Sequence, residues 1–370
     1  MDKMLYDREK LDRQIEDTVS RVKAAASEDS LVMPVFTDLH ANGLDDSAFV
    51  QLLQALEAVS TRLKIDAMIG LGDNLAMLGR NVHASNEMIK ELLTGIFDRV
   101  SAVCDVPLYL VHGNHDGIGT DFFSAEFWYS IVGGKYDGGM AHREEGSAYF
   151  YADYEKQGIR IISLSVPCGS DMEAEYPTPL WRFGDRQLKW LAEKALDTPG
   201  GWDVLVLCHV PFYSCYRGDM TTKLSVWTGD REAESYISAL SGWIEDRQEA
   251  EEILRAYHEG VVYCNEEKDI HGNYTEKSAH IIACLSGHIH KDRLFAPGEQ
   301  KGNDQNRLVC PQAAITSAKS SYNKETREKA EFGIAFDVLV LTPSEKCLSL
   351  IRFGDGEDRR IYYDSREEKK

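Results

Sequence analysis

Five apolar runs in this 370-residue chain end in residues that bind metals or move protons. The run at 31–38 leads into "TDLH", with Asp38 and His40. The run at 66–73 ends in "GDN", with Asp73 and Asn74. "PLYLV" leads into "GNHD", with Asn114, His115 and Asp116. "VLVLC" is followed by His209, and the run at 279–285 by "GHIH", with His288 and His290. A core does not ask for two histidines one residue apart, because imidazole is seldom buried as an ordinary packing group. In open α/β sheets ligands bind beyond the carboxyl ends of the strands, so these side chains are expected to converge from distant parts of the chain.

The donor types narrow the chemistry. Asp38, Asp73 and Asn114 offer oxygen, and His40, His209, His288 and His290 offer nitrogen. Such a mixed set suits Zn, Fe, Mn, Co or Ni rather than Ca or Mg. Seven donors exceed the roughly four to six that one such ion takes, and they suit two ions sharing a carboxylate. Two divalent ions roughly 3.5–4 Å apart are a device for in-line displacement at phosphorus. On extended backbone, residues i and i+2 point to the same side, so Asp38 with His40, and His288 with His290, are each expected to enter one site. Gly72, Gly113 and Gly287 are expected to let the chain turn sharply beside the ions.

Charge points the same way. The formal net charge is −20, with 61 acidic and 41 basic residues. That argues against a long nucleic-acid track or an anionic membrane as partner. An anionic substrate must then be held by local positive charge, and two divalent ions bring about +4 before their ligands. A composition of 43% hydrophobic and 28% charged residues is that of a soluble globular protein. The eight cysteines (104, 168, 208, 215, 264, 284, 310 and 347) are scattered and expected to be reduced, which suits a cytoplasmic location. Residues 1–30 lack the apolar core of a signal peptide. Leu11, Ile15, Val19 and Val22 recur there at helical spacing, which predicts an amphipathic helix. No run is long enough to span a membrane.

These residues need a scaffold. Strand–helix alternation through the first half predicts parallel strands with helices on the sheet faces, and the helix-poor later strands predict antiparallel additions. The fold expected is α/β (α+β mixed), a four-layer αββα sandwich of two mixed sheets with outer helices. The stretches 117–158 and 212–277 are long for connections and are expected to shape the substrate site. Their aromatics (Phe122, Phe123, Trp128, Tyr213, Tyr216, Trp227) read as packing residues, and Arg182, Arg217 and Lys223 as solvated. His112 reads as structural. His83, His142, His258, His271 and His280 have no partner motif and read as surface or structural, with His83 bordering the site. Asn74 is expected to support Asp73, and residues 356–370 to form a short strand and a charged tail.

The ordered blocks D-x-H, G-D-N, G-N-H-D, a lone His after a strand, and G-H-x-H resemble the calcineurin-like metallophosphoesterases over residues 31–292. The resemblance implies such a domain over residues 31–355. It implies that Asp38, His40, Asp73 and His290 bind one metal. Asp73 would bridge to a second, which also takes Asn114, His209 and His288. It further implies a nucleophilic hydroxide between the ions. His115 would protonate the leaving oxygen while Asp116 holds its imidazole charged and oriented. Histidine suits that task, since an alkoxide leaving group needs a proton that imidazole can give near neutral pH. The function expected is hydrolysis of a phosphodiester, or a phosphomonoester, of a small molecule or nucleotide, with the diester preferred. The rival is a scaffold that keeps the fold without catalysis, and the complete ligand set counts against it.

Overall fold

The computed structural model describes residues 8–76, 85–116, 125–166, 168–170, 179–213, 223–228, 231–236, 244, 246–277, 279–301, 304–319 and 333–364. Helix α1 (Arg8–Ala25) buries Ile15, Val19 and Val22 on one stripe. Each such side chain contributes about 1.5–3 kcal/mol of burial before entropy is counted. Strand β1 (Leu31–Phe36) follows, and every one of its side chains is buried. Leu31, Met33 and Val35 face one apolar cluster while Val32 and Phe36 face another, as the two-residue period of a strand buried on both faces dictates. Helix α2 (Ser47–Ser60) starts where the Asp46 carboxylate accepts from the Ala48 N–H at 3.0 Å, and crosses to β2 (Met68–Gly70). Helix α3 (Asn86–Ser101), capped by Ser85, crosses to β3 (Leu108–Leu110). Strands β1, β2 and β3 are parallel, as βαβ connections require.

Strands between residues 141 and 314 build another sheet. Helix α4 (Ala125–Val132) leads to β4 (Ala141–His142), β5 (Phe150–Tyr154) and β6 (Ile159–Leu164). Helix α5 (Asp185–Trp190), continued by a π-helical turn at Leu191–Ala195, precedes β7 (Asp203–Cys208). Helix α6 (Arg247–Glu259) ends at Gly260 in the left-handed conformation, which glycine adopts without strain. The hairpin β8 (Val262–Asn265) and β9 (Ile270–Asn273) comes next, then β10 (Ile281–Ser286), β11 (Arg293–Phe295) and β12 (Gln312–Ala314). The chain returns to the first sheet with β13 (Phe336–Thr342), β14 (Cys347–Phe353) and β15 (Arg359–Tyr362).

The first sheet has the order β15-β14-β13-β1-β2-β3 and the second β11-β12-β10-β7-β6-β5-β4. Both are mixed: β6, β7, β10 and β12 run parallel, and antiparallel strands join at the edges. Leu205, Leu207, Ile282 and Leu285 of the second sheet share one core with Met33, Val35 and Ile69 of the first. Helices α1 to α4 pack on the outer face of the first sheet, and α5 and α6 on that of the second. This is the four-layer sandwich of two mixed sheets.

The stretch 117–158 is less of an insertion than its glycines suggest. Within it, β5 pairs along its whole length with β6, and Trp128 is buried in the core over the first sheet. Among the described residues, no helix is long and apolar enough to cross a membrane.

Candidate metal centre

Each of the five motifs begins just past the carboxyl end of a parallel strand: β1, β2 and β3 in one sheet, β7 and β10 in the other. The backbone there is not extended. Asp38, His40, Asp73, His288 and His290 have φ of 50°, 45°, 55°, 68° and 53°, five of the seven non-glycine residues with positive φ among those described. The side chains therefore reach one site from left-handed turns, not by strand alternation. Such turns cost about 1–2 kcal/mol per residue and persist where surrounding contacts enforce them. Gly72, at φ +101°, supplies a turn of this kind at no such cost. Gly113 and Gly287 serve close approach instead: a Cβ at Gly113 would stand 2.0 Å from the Asp73 nitrogen, and one at Gly287 2.0 Å from Thr37 Oγ1.

Three groups of donor atoms result: Asp38 with His40 and His290, His40 with Asp73 and His115, and Asp73 with His209 and His288. His290 Nε2 lies 3.0 Å from Asp38 Oδ1 and 3.0 Å from His40 Nε2. At the other end Asn114 Oδ1 lies 3.1 Å from His209 Nε2 and 2.8 Å from His288 Nδ1. Between them, Asp73 Oδ2 is 3.2 Å from His209 Nε2 and 4.0 Å from His40 Nε2. Its other oxygen, Oδ1, accepts from the His115 backbone N–H at 2.7 Å.

Backbone carbonyls set the imidazoles. His209 Nδ1 lies 2.7 Å from the Leu71 carbonyl oxygen and His40 Nδ1 3.3 Å from that of Leu75. A carbonyl only accepts, so the proton sits on Nδ1 and Nε2 faces the carboxylates. Burial lowers the His209 pKa, but the charges of Asp73 and Asp38 outweigh it and push the group up to about 9. Burial and the neighbouring His209 take His288 down to about 4. Burial works against ionisation of Asp38 and Asp73, yet the histidines hold both below the usual carboxylate range.

The residues fit cations. Asp38 is wholly buried; its Oδ2 accepts from Thr37 Oγ1 and the His288 N–H, whereas Oδ1 faces the imidazole nitrogens His290 Nε2 at 3.0 Å and His40 Nε2 at 3.8 Å. Among the described residues the groups paired with Asp38 and Asp73 are all histidines. Buried carboxylates facing imidazole nitrogens are donors for a transition metal.

Asp116 requires a correction. It is buried and does not hold the His115 imidazole, whose Nδ1 has no hydrogen-bond partner. Its carboxylate instead accepts from the backbone N–H groups of Gly113, Asp73, Asn74 and Leu75, and from Asn74 Nδ2. Those donors belong to the loops after β2 and β3, which curl around the carboxylate and leave none of it for the imidazole. Burial and the Asp73 charge push Asp116 up to about 7. Asn74 thus supports Asp73 through Asp116. His115 turns Nε2 toward Asp73 Oδ2 at 3.7 Å, and its ring stands edge-on to His40 at 4.7 Å between centroids.

Of the remaining residues singled out in the sequence, His112 is buried 5.3 Å from the Trp128 ring, and Tyr213 is buried edge-on to Phe295. His83, Phe122, Phe123, Tyr216 and Arg217, and the side chains of Lys223 and Trp227, lie outside the described residues. The sequence reading missed a group remote from all five motifs, Cys264 with Glu266 and His271 on the β8–β9 hairpin.

A family model described as calcineurin-like phosphoesterase matches residues 35–292. The chain belongs to the calcineurin-like phosphoesterase family. That membership supports metal-dependent hydrolysis of phosphoric esters as the class of chemistry. The crystal structure of a dimetal phosphatase from Danio rerio aligns with a TM-score of 0.53 at 14% identity, covering 90% of this chain and 99% of that one. PhoD aligns at 0.48 with 10% identity, covering 88% and 66%. GAP50, the anchor in the inner membrane complex of Plasmodium, aligns at 0.46 with 13% identity, covering 91% and 90%. At these identities only the Danio rerio structure bears on the argument, and it bears on the fold alone. No curated protein matches the sequence.

Proposed function

We propose that this family member is a binuclear metal-dependent phosphoesterase acting on a small phosphate ester, a diester by preference, with nucleotides among the substrates that fit. One observation carries the reading: Asp73 Oδ2 stands between the His40 group and the His209–His288 group. Asp38, His40 and His290 would hold one cation and Asn114, His209 and His288 the other, with Asp73 common to both. When bound, the cations supply positive charge for the phosphoryl oxygens and acidify the attacking water.

The rest is done by the chain. The Nδ1 hydrogen bonds of His40 and His209 keep their Nε2 atoms aimed at the site. Asp116 holds the loop that carries Asp73. His115, whose side chain is 19% exposed, borders the solvent side and donates its Nε2 proton to the leaving oxygen. Charge supports the diester preference. Lys319 reaches the His40 carbonyl but is tied to Asp46. A monoanionic diester needs less compensation here than a dianionic monoester.

Turnover of bis-p-nitrophenyl phosphate and p-nitrophenyl phosphate with Mn²⁺, then with chelator, tests the proposal. Metal-dependent turnover favouring the diester is expected; no turnover with any metal would mean a scaffold without catalysis. His115→Gln should keep both ions and slow hydrolysis of an alkyl ester by about 10²-fold or more, as loss of a general acid does. Nitrophenyl esters, whose leaving group needs little protonation, should suffer less. Loss of metal in that variant would refute the role given to His115.

A further inference from the structure

The β8–β9 hairpin carries a second set of donors that shares no residue with the strand-end centre. In the antiparallel register Cys264 stands opposite His271. Cys264 Sγ lies 3.5 Å from His271 Nδ1 and 3.2 Å from Glu266 Oε1, and the three ligand atoms all lie within 4.8 Å of one another. An ion bound tetrahedrally, at about 2.3 Å to sulfur and about 2.05 Å to nitrogen, sets those two atoms about 3.5 Å apart. The thiol and the imidazole already have that separation.

The second ring nitrogen decides the tautomer. His271 Nε2 sits 3.2 Å from Asp269 Oδ1, and Asp269 is paired with Lys189. An ionised carboxylate only accepts, so Nε2 carries the proton and Nδ1 turns its lone pair toward the thiol. A carboxylate behind the far nitrogen of a histidine is the support that orients imidazole ligands in metal sites. The hairpin is also clamped. Glu249 of α6 accepts from Tyr263 Oη and Asn265 Nδ2 and pairs with Lys268, while the His271 N–H donates to Glu193. Donors on an anchored hairpin lose little freedom on binding.

We infer that Cys264 Sγ, His271 Nδ1 and a Glu266 oxygen form a surface site for one thiophilic divalent cation of the zinc type, with water completing the tetrahedron. On binding, the S–H bond breaks and a sulfur–metal bond forms. The proton leaves to solvent and no electron is transferred. Among the described cysteines Cys264 is exposed, Cys104 is half-buried, and Cys208, Cys284, Cys310 and Cys347 are buried. The site is thus open to exchange with free metal. This inference does not depend on the function proposed above.

Cobalt(II) titration of the purified full-length chain tests it. The strand-end centre offers only oxygen and nitrogen, so a thiolate-to-cobalt charge-transfer band reports a cysteine ligand, and its loss in Cys264→Ser assigns it to the hairpin. The wild type should develop this band and saturate it at one ion per chain. Cys264→Ser should lose it while keeping phosphoesterase activity, and Asp269→Asn should weaken it by about 10–100-fold in affinity. No band in the wild type, or an undiminished band in Cys264→Ser, overturns the inference. A band without metal at the strand ends sinks only the proposed function; metal at the strand ends without a band sinks only the hairpin site.

Discussion

Two buried groups of acids in this molecule balance their charge in different ways. In one, Arg352 bridges Asp292 and Asp337, and Arg359 pairs with the same two carboxylates. Two acids meet two guanidinium groups, so the network balances its own charge. In the other, the ion-pair partners of Asp38 and Asp73 among the described residues are all histidines, and Asp116 spends its oxygens on backbone N–H groups and the Asn74 amide. The two groups are neighbours: the Thr316 N–H donates to Asp292 while its hydroxyl donates to the His290 carbonyl. One region is an ion network the fold supplies whole. On the proposed function, the other would be closed by cations taken from solution, and that difference would separate a structural cluster from a reactive one.

Cutting the arginine network should have the largest effect. Arg352→Ala leaves buried Asp337 and half-buried Asp292 with one guanidinium, Arg359, between them and should cost about 3–5 kcal/mol in urea unfolding, equally with and without Mn²⁺. A metal-dependent deficit would join the two regions into one. In the wild type, metal at about 100 times its dissociation constant should add about 2.7 kcal/mol of stability that chelator removes. A chelator-insensitive unfolding curve would mean the strand-end carboxylates are balanced without cations. Asp116→Asn keeps the shape but replaces an acceptor oxygen with a donor facing N–H groups. Metal affinity should fall by about 10–100-fold, as expected for a residue that orients ligands, and calorimetric titration with Mn²⁺ reads it.

The smallest effect belongs to a carboxylate in neither group. Burial opposes ionisation of Asp46, but donors from Lys319 and Asn42 outweigh it and hold the group down to about 2. A depressed carboxylate stabilises the fold above its unfolded value near 3.8. That contribution is lost as pH falls from there through about 2. Asp46→Ala should cost about 0.5–2 kcal/mol at neutral pH through the lost cap, and the gap to the wild type should shrink in acid.

The strand-end residues were legible because imidazoles and carboxylates after apolar runs have few structural uses, and five such endings in one chain point to a shared site. Their backbone was not legible, since nothing in "DLH" or "HIH" reveals left-handed turns enforced by packing between two sheets. The direction of Asp116 was equally hidden, because adjacency to His115 says nothing about which loop N–H groups surround a carboxylate. Strand β5 was obscured by glycines and aromatics on either side of it, although β6 pairs along its full length. The Cys264–His271 pair depends on hairpin register. The seven-residue spacing across "EEKD" becomes informative only once β8 and β9 are recognised as partners.

On the proposed function, two cations would share Asp73 at the ends of β1, β2, β3, β7 and β10. Locating manganese by anomalous scattering in crystals grown with excess Mn²⁺, for the wild type and Asp73→Asn, tests it most directly. Two ions on either side of Asp73 are expected in the wild type and at most one in the variant. A single strand-end ion in the wild type, or none, with His288 and His290 turned away from Asp38 and Asp73, would contradict it.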